Sequence, residues 1–192
     1  MAGRAVAARK ALARIERRLD SRVDELIAPF CWARELLTTI PGIRNRNAEN
    51  VIAEIGTDMS NFPTAAHLAS WAGMCPGNNE SAGKHRSGKS RRGDPWLQST
   101  LVEAGWAASR AHNTSMRARF YRISKRRGHE RAVYAVGHHL LVVIWWMLSE
   151  RVPYNEMGDD YHERRVDPER RRRYLVQQLE QLGLQVDIQP AA

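Results

Sequence analysis

The run Leu140-Leu141-Val142-Val143-Ile144-Trp145-Trp146-Met147-Leu148 is the most apolar stretch of the chain and restricts its fold more than any other feature. Its nine residues would rise about 14 Å as a helix, roughly half the hydrocarbon thickness of a bilayer. Its expected fate is a buried core helix. The run sits in a longer helical pattern, Ala132 to Ser149. Ala135, Val136, Leu140, Val143, Ile144 and Met147 are expected at the centre of the core. His138 and His139 lie on this helix with no carboxylate at helical spacing, so they read as packed or partner-facing residues.

Other helices follow from periodicity and end signals. Ala5 to Leu37 is expected to be helical, with Pro29 as an interruption or kink. Leu12, Ile15, Leu19, Val23, Leu26 and Ile27 form its narrow apolar stripe. A coiled-coil-like hairpin, a partner helix and an ordinary helix lying on its own domain all fit that stripe. Thr64 suits the N-cap of a helix carrying Leu68 and Trp71. Asp94 and Pro95 suit the start of the next, with Leu97, Leu101, Ala104 and Ala108 inward. Met116 to Arg127 reads as a cationic helix stopped by Gly128, with Arg119, Arg122 and Arg126 among its charges. A basic amphipathic helix after Arg170 should end at Gly183.

Thr39-Ile40-Pro41-Gly42-Ile43-Arg44 leads into a helix that ends at Gly56. This resembles a helix-hairpin-helix element, in which a glycine-rich turn offers backbone N–H groups to a phosphate. Arg44 stands where the turn usually has its second glycine; it weakens the backbone cradle and adds a side chain that can reach a phosphate. A plain turn between two helices accounts for the same residues. Gly42 and Arg44 are the candidate contacts.

The chain holds 30 Lys and Arg against 21 Asp and Glu, a formal net charge of +9. Such a surplus favours a polyanionic partner, whether DNA, RNA or an acidic membrane face. The charges are spread over loops and several helices and do not oppose one broad apolar face, which disfavours a membrane. Two cysteines, Cys31 and Cys75, supply neither a disulfide scaffold nor a zinc quartet. The arginine-bearing N-terminus does not read as a secretory signal. The acidic group Asp159-Asp160-Tyr161-His162-Glu163 reads as a solvated turn, and no metal ligand is assigned. These features together point to a cytoplasmic, nucleoid-associated protein.

Between Cys75 and Pro95 the chain is long, polar, glycine-rich and basic. A connection of this length between well-patterned helices is usually functional or disordered. It contains Lys84, Arg86, Lys89, Arg91 and Arg92, and the serines Ser81, Ser87 and Ser90. Composition does not separate these serines. The order and spacing of several segments carry a resemblance. They are Thr39-Ile40-Pro41-Gly42-Ile43, Ala53-Glu54-Ile55-Gly56, Leu68-Ala69-Ser70-Trp71-Ala72-Gly73, Cys75-Pro76-Gly77-Asn78-Asn79-Glu80-Ser81-Ala82-Gly83-Lys84 and Arg92-Gly93-Asp94-Pro95-Trp96-Leu97. Over roughly Leu36 to Tyr161 they resemble the C-terminal domain of the bacterial insertion-sequence 110 family transposases, the 116/110/902 group.

The resemblance implies RNA-guided recombinases that join a mobile element to its target. Family members carry an N-terminal nuclease-like domain with acidic metal ligands, a coiled-coil segment, and a C-terminal domain with a nucleophilic serine. The serine falls on Ser81, with Ala82 where the family often has Gly. A serine hydroxyl needs its proton removed or its alkoxide stabilised before it attacks, and cations nearby would also stabilise charge on a phosphoryl group. No nuclease-like segment precedes Met1, so the chain is expected to be incomplete as a recombinase and to need no cofactor of its own. A divalent metal is expected only in the nuclease-like domain. A non-catalytic nucleic-acid-binding remnant and a helix-hairpin-helix DNA-binding module are the alternatives. The expected fold is mainly α: a coiled-coil-like helix over 1–35, a compact helical domain over 36–150 and a basic tail over 151–192. The expected partners are DNA, a structured guide RNA and a second copy through the N-terminal helix.

Overall fold

The structure, a computed structural model, describes residues 2–75, 80–81, 84–85, 92–164 and 167–188. Among them the fold is mainly helical. A long first helix, α1 (Ala2–Ile27), passes through a short 3-10 turn at Ala28–Phe30 into α2 (Cys31–Thr38). Pro29 lies in that turn, where its fixed φ and missing N–H are tolerated. α3 (Asn45–Ile55), α4 (Ala65–Trp71), α5 (Pro95–Ala108), α6 (Ser115–Arg127) and α7 (His129–Glu150) follow, then α8 (Tyr161–Arg164) and α9 (Pro168–Gln181). The two-residue strands β1 (Glu80–Ser81) and β2 (Lys84–His85) pair between α4 and α5.

The helix starts are set by local chemistry. Thr64 accepts from the His67 N–H, Asp94 from Leu97 at 2.8 Å, Thr114 from Arg117 and Asp167 from Glu169. Each satisfies an otherwise orphaned first-turn donor. Gly128 and Gly183 end α6 and α9 with positive φ, the conformation that glycine adopts without steric cost.

α7 is the central helix, packed by α4, α5 and α6 with α2 near its end. Val136, Leu140, Ile144 and Met147 are buried, as the pattern predicts. Ala135 and Val143 are only partly covered, while Ala132, Val133, Leu141 and Leu148 are in the core. The difference arises because neighbours lie on several sides of α7, so burial extends beyond one stripe. α5 and α7 approach closely through glycines. A Cβ at Gly105 would stand 3.0 Å from the Val133 carbonyl oxygen, and one at Gly137 3.1 Å from that of Leu101. Those pairings run in opposite directions along the two helices, so α5 and α7 are antiparallel.

Among the described residues, the stripe on α1 is open over its N-terminal part, with Leu12 and Leu19 58% and 61% exposed and Ile15 and Leu26 similarly open, while Val23 is partly covered and Ile27 is buried in the core. Only the C-terminal end of the stripe, at Ile27, packs into the helical domain. The C-terminal half of α1 is tied to the helical domain by ion pairs, Asp20 with Arg46 at 2.5 Å and Asp24 with Arg34 at 3.5 Å.

Beyond α7 the chain folds back over α6. Glu156 Oε1 accepts from the Ser115 N–H at 2.8 Å and from Gly158 at 2.9 Å. Tyr154 meets Ser115 Oγ at 3.1 Å and donates its N–H to Thr39 Oγ1 at 3.0 Å. A carboxylate on the first N–H groups of a helix contributes about 1 kcal/mol. Glu156→Ala is thus expected to lower the thermal unfolding midpoint by about 2–4 °C, read by circular dichroism, with Glu156→Gln keeping part of the loss back. An unchanged midpoint would mean that the fold-back does not stabilise α6. Tyr174, Leu175 and Leu179 of the last helix, and Leu182 just after it, stay exposed.

Candidate nucleic-acid interface

The basic segment between α4 and α5 is held at its base. After Trp71, the carbonyls of Ala72, Gly73 and Met74 each meet a side chain from the core helices. Gln98 Nε2 donates to Ala72 at 2.7 Å, Tyr134 Oη to Gly73 at 2.8 Å, and His138 Nδ1 lies 3.2 Å from the Met74 oxygen. A carbonyl only accepts, so this contact assigns the proton to Nδ1 of His138. Met74 itself is buried against Gly137.

The other end of the segment returns to the same place. A Cβ on Gly93 would fall 2.2 Å from the Ala72 carbonyl carbon and 2.3 Å from the Gly73 nitrogen. Only glycine fits there, so the two ends of the basic segment touch backbone to backbone. Asp94 then caps α5 and shares a hydrogen bond with Glu54 at the end of α3. Partial burial, and then the bond and charge of Asp94, raise the Glu54 carboxyl above its ordinary value.

Within the segment, β1 and β2 run antiparallel with Ser81 opposite Lys84 and Glu80 opposite His85. The register places the backbone of the candidate nucleophile directly across from that of a candidate phosphate ligand. Arg86, Lys89 and Arg91 lie outside the described residues. Arg92 is described and exposed.

The turn before α3 packs on the end of α5. The Ile43 N–H donates to the Ile40 oxygen at 3.1 Å, with Pro41 and Gly42 between them and Gly42 at φ +95°. Proline first and a positive-φ glycine second suit a type II turn. Ile40 and Ile43 are buried. A Cβ on Gly42 would lie 2.5 Å from the Ala108 nitrogen and 2.7 Å from the Ala104 oxygen. Close packing on the C-terminal end of α5 thus gives a reason for this glycine that involves no ligand. Arg44 is extended and exposed at the start of α3.

α3 and α5 are antiparallel: Gly42 precedes α3 and meets the end of α5, while Glu54 ends α3 and meets Asp94 at the start of α5. α5 spans Pro95–Ala108, about 20 Å at 1.5 Å per residue. The Gly42–Arg44 turn and the base of the Ser81 segment therefore sit at opposite ends of one helix, and the structure does not bring them together.

On α6, Arg122 and Arg126 are exposed but Arg119 is half-buried. Burial lowers the Arg119 pKa, the like charge of Arg122 adds to this, and Tyr154 and Tyr161 oppose it. The cationic stripe is thus open at Arg122 and Arg126 and partly covered at Arg119. The base of the segment, held by Gln98, Tyr134, His138 and Gly93, is what sequence reasoning missed. Its one local signal is a glycine placed directly before the Asp-Pro start of α5.

Among known proteins, residues 34–122 are similar to the domain described as Transposase IS116/IS110/IS902 family. That match includes Gly42, Arg44, Ser81, Arg92, Arg119 and Arg122, and stops short of Arg126. The chain is 28% identical over 141 residues to the "Insertion element IS110 uncharacterized 43.6 kDa protein" of Streptomyces coelicolor, covering 72% of this chain and 34% of that protein. It is 38% identical over 66 residues to the "Pilin gene-inverting protein" of Moraxella lacunata, covering 33% of this chain and 20% of that one. The chain spans about a third or less of the length of these curated relatives.

Proposed function

We propose that this chain acts in DNA transposition as a recombinase portion that binds DNA, and a structured guide RNA with it, and supplies Ser81 as the nucleophile. The observation that carries this reading is the family match over residues 34–122, which encloses the basic segment and its clamped base. The relatives' names, an insertion-element protein and a gene-inverting protein, both concern DNA rearrangement.

In the proposed step, Ser81 Oγ attacks a DNA phosphorus. A phosphoserine ester forms, the phosphorus–oxygen bond to one strand end breaks, and that end leaves as a hydroxyl carrying the serine's proton. Attack of a free strand hydroxyl on the ester reverses the exchange and restores the serine, so the bond is conserved for rejoining. Lys84, Arg86, Lys89, Arg91 and Arg92 would stabilise the charge that builds on the phosphoryl oxygens. Gly42 and Arg44, in a helix-hairpin-helix-like turn, and Arg119, Arg122 and Arg126 would contact the phosphate backbone farther along. The same reading puts the divalent metal in the nuclease-like domain of longer family members, assigns none to this chain, and makes it cytoplasmic and nucleoid-associated. It divides the chain into a coiled-coil-like helix, a helical domain from about residue 36 and a basic tail, with the open stripe of α1 pairing two copies.

Binding tests the electrostatic half of this proposal. On duplex DNA the slope of log affinity against log salt is about −0.9 per neutralised phosphate. Arg91→Ala with Arg92→Ala should flatten it by about 2, measured by fluorescence anisotropy. An unchanged slope would move the contact to Arg122 and Arg126, and binding without salt dependence would overturn the proposal.

A further inference from the structure

Three features converge at the base of the basic segment, and nothing above uses one of them. Trp96 is 73% exposed, the most exposed of the six tryptophans. It is the second residue of α5, next to a helix start already fixed by Asp94 and Pro95, and its neighbour Leu97 is buried. Nothing in the capping or the core requires an indole at this position. Trp71, 45% exposed, ends α4 one residue before Ala72, with its ring braced on Phe62 at 5.4 Å. Because Gly93 rests on Ala72 and Gly73, Trp71 and Trp96 both lie within three residues of the touching ends of the segment. Exposed Arg92 lies beside them.

We infer that Trp96, at the exposed start of α5, forms a stacking platform for an unpaired nucleobase of a bound strand. This rests on the nucleic-acid reading proposed above. An indole on a rigid helix start offers a π-face to any base, and such stacking depends little on sequence. Charge favours this occupant: positions 80–92 hold five cations against one carboxylate, Glu80. The nearest acids at the base are also subdued. Asp94 is engaged by the α5 cap and by Glu54, whose own carboxyl is shifted toward its neutral form. Paired bases in a duplex present only their edges, so the platform selects strands that are open or flipped out.

The test compares the full chain and its variants on short oligo(dT), oligo(rU) and a blunt duplex of equal length, at one fixed salt concentration. Trp96→Ala should weaken single-strand binding on the order of tenfold, and Trp96→Phe should lose much less. Duplex affinity, salt slope and unfolding midpoint should stay as in the parent chain. Loss confined to oligo(dT) supports a DNA base, loss confined to oligo(rU) an RNA base, and loss on both an unpaired base of either. Equal losses on duplex and single strands would overturn the inference, as would no loss. A changed sedimentation mass with unchanged affinities would also overturn it, by assigning Trp96 to a protein contact. If the parent chain binds none of the three probes, the nucleic-acid reading itself fails; if it binds and Trp96→Ala is silent, only the platform fails.

Discussion

Ser81→Ala is expected to abolish covalent capture of DNA completely. The assay combines end-labelled element DNA, RNA from the same locus, this chain and a supplied nuclease-like domain, and looks for a protein–DNA band that survives denaturation. The loss should be total because the variant removes the oxygen that forms the new bond; no geometry of the remaining residues replaces it. A residue that only stabilises charge behaves otherwise. Lys84→Ala should slow adduct formation by about 10²–10³ and still leave a band on long incubation. Ser87→Ala and Ser90→Ala should keep the band. No adduct with the parent chain, with or without the supplied domain, would favour a binding-only remnant. An adduct that persists in Ser81→Ala would transfer the nucleophile to another residue.

What the sequence makes legible here is what a few consecutive residues decide. The caps Thr64 and Asp94, the stops at Gly128 and Gly183, and the burial of Leu140 and Ile144 in α7 all depend on neighbours within one or two turns. The base of the basic segment does not. Gly93 meets Ala72, and Tyr134 and His138 reach Gly73 and Met74 across sixty residues or more of chain. In the sequence, Gly93 looks like one more glycine in a polar stretch, and only the close approach shows why a side chain is excluded. Arg119 is another case. Helical spacing puts it in one stripe with Arg122 and Arg126, but in the fold it is half-buried while they stay exposed. The opposite placement of the Gly42 turn and the Ser81 segment along α5 likewise follows from antiparallel packing, which periodicity does not encode.

Gly42→Ala should produce the largest loss of stability, because both its penalties fall on backbone. The added methyl would meet the Ala108 nitrogen at 2.5 Å, the Ala104 oxygen at 2.7 Å and the Ala108 Cα at 2.9 Å. No rotamer change relieves contacts with a helix main chain, so the α2–α3 turn would have to lift off α5, uncovering Ile40 and Ile43. The φ of +95° adds strain for any residue with a Cβ. Overpacking and left-handed strain together cost about 2–5 kcal/mol. At about 2–4 °C per kcal/mol for a chain of this size, the midpoint should fall by about 5–15 °C. The same variant separates the two accounts of the turn. If Gly42 is there to pack on α5, duplex affinity measured well below the new midpoint should match the parent chain. If its backbone also cradles a phosphate, the displaced turn should weaken that affinity and flatten the salt slope by about 1. Arg44→Ala, exposed and free of the packing penalty, should then flatten the slope by a similar amount with no change in midpoint.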